Sequence, residues 1–201
     1  MSREPVQLLE FALRTQFGKV DAHFLSLLLL PCLEVETMSY GEISLPRDQK
    51  NEYILMAFEE RLLIPVQDKR GIGWDDCGLR IEDKESYCMP CLCRDILKMA
   101  LSSGKLDSEQ AVRNILAKDA QRDCEQIFGF LCILKRHAQS LRFEAGLLPV
   151  IIQSMDFKED MHALIDFLVL LGIISPSKTS SMAKGLAWFE INPCLYWGNA
   201  W

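Results

Sequence analysis

No run of apolar residues in this 201-residue chain is long enough to span a bilayer. The strongest, Phe24 to Leu33 (FLSLLLLPCL), is short and broken by Pro31. The chain opens Met-Ser-Arg-Glu-Pro, without the charged-then-apolar pattern of a secretory leader. From both absences we expect a cytoplasmic protein with no membrane partner. Positive charge is not in excess either: Lys and Arg number 22 against 28 Asp and Glu, for a net charge of −6 and a pI near 5.2. Nonspecific attraction to a phosphate backbone is correspondingly weak. There is no phosphate-binding loop, and Gly71-Ile72-Gly73 lacks the third glycine and the following helix of a dinucleotide site. Histidine is scarce, and His23, His137 and His162 each stand apart from any Ser or Cys in a nucleophile motif. We therefore name no catalytic residues and expect a non-enzymatic protein.

What is present is ordinary globular composition, 49% hydrophobic and 25% charged, in a length that suits one large domain or two of about 100 residues. The layout repeats. Met161 to Trp197 reads as an apolar helix, a short β-prone run, a polar loop and an aromatic β-prone run, and Tyr53 to Glu82 has the same order. Leu55 and Phe58 fall opposite Leu164 and Phe167 at a constant offset (164 − 55 = 109 and 167 − 58 = 109).

Helical spacing recurs at Val6, Leu9, Leu13 and Phe17, with Pro5 suited to a first turn and Gly18 to a helix end. Asp21 then caps an almost wholly apolar helix, Ala22 to Leu30, expected to be buried on all sides. Asp48 or Asn51 caps a third helix reaching Arg61, followed by a strand, Leu62 to Gln67, a glycine-containing loop, and a strand, Leu79 to Glu82. Arg94 to Leu101 and Ser108 to Ala117 are helical and contain no Gly/Ser or Pro-rich linker, so they should hold the flanking units in a fixed relation. The second unit opens with the helix Cys124 to Ala138 and continues with one from Phe143 to Ser154. A third runs from about Lys158 to Leu171, capped by Asp156. Wing strands at Ile173 to Ser175 and Leu186 to Ile191 flank a polar loop, and the tail NPCLYWGNAW should dock on something.

Three helices followed by strand, loop and strand make both units resemble the winged-helix superfamily, in order of elements rather than in a diagnostic motif. The expected fold is mainly α with small β-hairpins (α+β), as tandem winged-helix-like domains over 1–87 and 122–201 joined by a helical connector over 88–121. The resemblance implies DNA reading by the third helix and a basic wing. The charges oppose that use: Asp156, Glu159, Asp160 and Asp166 mark the second third helix, and Asp48, Glu52, Glu59 and Glu60 accompany Arg47, Lys50 and Arg61 in the first. Lys69 and Arg70 in the first wing are the best DNA-binding candidates, although adjacent cations in a turn are usually only solvated.

Cys88, Cys91 and Cys93 (CMPCLC) with Cys77 upstream form a second candidate, a four-thiolate site for zinc or an iron–sulfur cluster. Only one C-x2-C pair is present, and the plainer reading is buried thiols. Cys32, Cys124, Cys132 and Cys194 read as core. Glu159, His162 and Asp166 share a helix face that would suit a divalent ion, or merely solvent. Trp74 and Trp201, with Glu159, Asp160 and Asp166, are the candidate partner-binding residues. Trp188 and Trp197 read equally well as closing over the core. The expected role is that of an adaptor or regulatory protein, contacting another protein or its own copy. A DNA-binding regulator and a metal- or redox-responsive protein are the alternatives.

Overall fold

A sharp reversal near the N-terminus sets the first packing layer. In the computed structural model, which describes residues 3–66, 73–74, 77–119, 122–157, 160–177 and 187–198, α1 (Arg3–Cys32) is interrupted by Gly18 at φ 75°, ψ 176°. His23 Nδ1 lies 3.0 Å from Glu10 Oε2. In a straight helix those residues would stand about 20 Å apart along the axis, so the two halves fold back on each other, as a glycine with left-handed φ permits. Leu9, Leu13, Leu25, Leu28 and Leu29 are completely buried.

The chain then forms β1 (Thr37–Ser39), α2 (Arg47–Glu59), β2 (Ile64–Pro65) and β3 (Ser86–Cys88). The strands make an antiparallel sheet in the order β1-β3-β2, with Met38 opposite Tyr87 and Ile64 opposite Cys88. Two connecting helices follow, α3 (Cys91–Ser103) and α4 (Ser108–Leu116). Gly104 ends α3 in the left-handed conformation, and the Asp107 carboxylate caps α4 by accepting from the Gln110 N–H. The second half consists of α5 (Cys124–His137), β4 (Arg142–Glu144), α6 (Leu147–Ser154), α7 (Met161–Leu170), β5 (Ile174–Ser177) and β6 (Trp188–Ile191), its first strand following one helix where β1 follows both halves of α1. Its sheet has the order β4-β6-β5, and Phe143 stacks on Phe189 across it with centroids 5.6 Å apart. The protein is thus mainly α-helical with two small antiparallel sheets.

Several expectations need correction. The expected hairpins are three-stranded sheets, because β1 and β4 each add an edge strand. Phe143 belongs to β4, and the helix starts at Leu147, with Pro149 in its first turn, where no N–H is missed. The strand expected at Leu79 to Glu82 is irregular, and pairing falls at Ser86–Cys88, where the Tyr87 side chain is buried and its hydroxyl donates to the Arg80 carbonyl at 2.7 Å. Asp160, not Asp156, caps α7, accepting from the His162 and Ala163 N–H groups. The repeat offset is also one residue out: Leu55 is 45% exposed while Leu164 is buried, and Ile54 is the buried neighbour.

One hydrophobic core runs through all three segments, from Leu9 and Leu29 through Ile96 and Val112 to Phe130, Leu168 and Trp197. No helix among the described residues is long and apolar enough to cross a membrane.

Candidate functional site: the seam between halves and the two third helices

Arg61 ends α2 with φ 56°, a strained value for a side chain of this size. That backbone turn points the guanidinium at β6, where Nε donates to Glu190 Oε1 at 2.9 Å and Nη2 reaches Oε2 at 3.3 Å. Both side chains are about 90% buried, and Nη1 donates to the Phe58 carbonyl. A buried charge pair is tolerated only when its remaining donors are answered, and here the planar fork is matched to a carboxylate.

Around this pair lies a buried polar network. The fully buried Asn192 amide donates to the Gly172 carbonyl at 3.0 Å and to the Arg61 carbonyl at 3.4 Å, and its oxygen accepts from the Cys194 N–H. The Cys93 thiol donates to the Arg61 carbonyl, and its sulfur lies 3.4 Å from that of Cys194. Burial, with Cys93 alongside, pushes the Cys194 thiol well above its ordinary value. The Trp74 N–H donates to Ser175 Oγ in β5 at 3.0 Å. The connector is held as well: the Leu92 N–H donates to the Leu171 carbonyl, and a Cβ added at Gly172 would come within 2.5 Å of Pro90. The tail docks too. Pro193–Tyr196 forms a 3-10 turn, Ser108 Oγ bonds to the Leu195 and Trp197 carbonyls, and Trp197 meets Phe17 edge-on at 5.6 Å.

The four-thiolate site is not formed. Cys77 packs with Trp74 and Ile64, Cys93 turns into the seam, Cys91 is exposed, and burial pushes the Cys88 thiol up. Among the described residues no three His, Cys, Asp or Glu are grouped to hold a metal ion; of the helix face expected to suit a divalent ion, His162 and Asp166 are described and Glu159 is not. Trp74 is buried against Ile64 and Cys77, not offered to a partner. Asp160 is exposed but engaged as a helix cap, while Asp166 is exposed. Lys69, Arg70, Glu159 and Trp201 lie outside the described residues.

The third helices are poor in free cations. Arg61 is committed to Glu190, and Lys50 donates to the Tyr40 carbonyl while lying 4.5 Å from the Tyr40 ring centre. Only Arg47 on α2 remains exposed, beside Asp48, Glu52 and Glu59. Helix α7 contains neither Lys nor Arg, and its outer face shows Asp166, Val169 and a 76% exposed Leu170. Sequence reasoning missed Glu190 and Asn192. The one signal available was a carboxylate in the middle of an aromatic strand, Trp188-Phe189-Glu190-Ile191.

Residues 25–197 match the model of a protein family of unknown function. No curated protein and no solved structure matches the chain.

Proposed function

The chain belongs to the family whose model spans residues 25–197, and we propose that it acts as a non-enzymatic adaptor or regulatory protein built on two winged-helix-like units. The matching strand orders β1-β3-β2 and β4-β6-β5 support that likeness. One observation carries the choice of protein over DNA as partner. Of the three cations on or just past α2, Arg61 and Lys50 are engaged internally, and α7 carries none while exposing Asp166, Val169 and Leu170. A phosphate backbone would meet little attraction there, whereas an apolar spot with a carboxylate beside it suits a protein surface. The seam supports the reading further, because it lets the two helices present a fixed spacing.

Light scattering on the purified protein, affinity capture and retention on duplex DNA at low salt test this. The expected result is a self-associated species or a captured protein, lost in Leu170→Asp, and no salt-sensitive retention on DNA. A concentration-independent monomer that captures nothing would remove the proposal. Retention on DNA that falls when Lys69 and Arg70 become alanine would replace it with the regulator reading.

A further inference from the structure

A cavity of about 610 Å³ opens between the connector helices and the end of α7. That volume lies inside the range of small-molecule sites, roughly 300–1,000 Å³. Its apolar wall is Ile115 from α4 with Phe167 and Leu171 from the α7 region, and the exposed Cys91 stands at its rim. Its charges are not equivalent. Asp95 is answered by Lys118 at 2.5 Å, and Asp119 by Arg122, whose guanidinium also stacks 4.1 Å from the centre of the Phe167 ring. Arg94 is the lining cation with no carboxylate partner among the described residues. Its Nη2 donates to the Val35 carbonyl at 2.7 Å, a neutral acceptor that orients the guanidinium and leaves its charge uncompensated. A guanidinium has five donors in one plane, so one bond to a carbonyl leaves enough for a fork on a carboxylate.

We infer that this cavity binds a small amphipathic carboxylate, its head group on Arg94 and its apolar body against Ile115, Phe167 and Leu171. A cationic ligand finds both lining carboxylates already paired, and a wholly apolar one would leave Arg94 unanswered. Such a ligand would touch the connector and the third helix of the second half together, next to exposed Leu170. The inference is independent of the adaptor reading, because it concerns a cavity and not the outer face of α7.

Cys91 supplies the reporter, being the exposed one of the eight thiols. The experiment measures alkylation of Cys91 by iodoacetamide, with and without decanoate below its micellar range, in the full chain, and Cys91→Ser verifies the site of labelling. Decanoate should slow the reaction saturably, while decylamine and decanol of equal chain length should not. In Arg94→Gln, about tenfold more decanoate should be needed, the scale of one charged hydrogen-bonded contact; Arg94→Lys should fall between. Each variant is read as its own ratio of rates, with helical circular dichroism confirming its fold. Absence of protection in the native protein, equal protection by decylamine, or unchanged protection in both Arg94 variants would each overturn the assignment.

Discussion

Arg61 and Glu190 show how little a formal charge says about its task until its surroundings are known. In the sequence, Arg61 ends a helix among three glutamates and reads as a surface cation. In the fold it crosses 129 residues to its partner and loses most of its water. Removing one member strands the other, at a cost of roughly 3–5 kcal/mol, whereas replacing both by apolar residues of similar size is often neutral or better. We expect Arg61→Met and Glu190→Met each to lower the denaturant midpoint strongly, and the double variant to recover most of the loss. Additive effects in a double-mutant cycle would mean the pair is not coupled as described. The thiols make the same point. Cys88, Cys91 and Cys93 are neighbours in the chain, yet one is half-buried in a strand of the first sheet, one is in solvent and one lies against Cys194. Spacing along a turn and helix start does not make sulfurs converge.

Among the elements, most helices were legible, and of the strands β2, β5 and β6 were placed while β3 and β4 were not. The helices expected at Arg94 to Leu101, Ser108 to Ala117 and Cys124 to Ala138 are found as α3, α4 and α5 within a few residues. Strands β1, β3 and β4 have three residues each, with one buried side chain apiece: Met38, Tyr87 and Phe143. A period of two cannot show itself in a segment that points inward once, and the same is true of any short edge strand. The seam was illegible for a related reason: Glu190, Asn192 and Gly172 acquire meaning only when a distant element arrives. Gly172 is the sharpest test at this scale. Its φ of 69° and its contact with Pro90 both exclude a side chain. We expect Gly172→Ala to cost about 1–2 kcal/mol from the backbone alone, and more from the overlap. Gly78, which has a Cβ's worth of open space around it, should tolerate the same change. A thermal melt of the two variants compares them directly, and equal melting temperatures would contradict the packing described at Pro90.

For the whole molecule, the division into two units and a connector describes the path of the chain better than it describes the core. Leu9 and Trp197 belong to one hydrophobic cluster, and the seam between halves is buried, hydrogen-bonded and charged. Domains joined by an ordinary interface move and melt separately. Here we expect a single cooperative transition, coincident by far-ultraviolet circular dichroism and tryptophan fluorescence, with calorimetric and van't Hoff enthalpies in agreement. Two separated transitions would show that the halves are autonomous.

The span between Arg61 and Glu190 also bears on how the protein is made. At synthesis rates of about 5–20 residues per second, the 129 residues separating them take roughly 6 to 26 seconds to emerge. Throughout that interval α2 ends in a cation without its carboxylate, and Trp74 awaits Ser175. The first half therefore waits, incomplete and with apolar surface uncovered, for a strand not yet translated. Contacts so distant in sequence also slow the final closure, and it is in that window, more than in the finished fold, that a nascent chain of this design is open to aggregation.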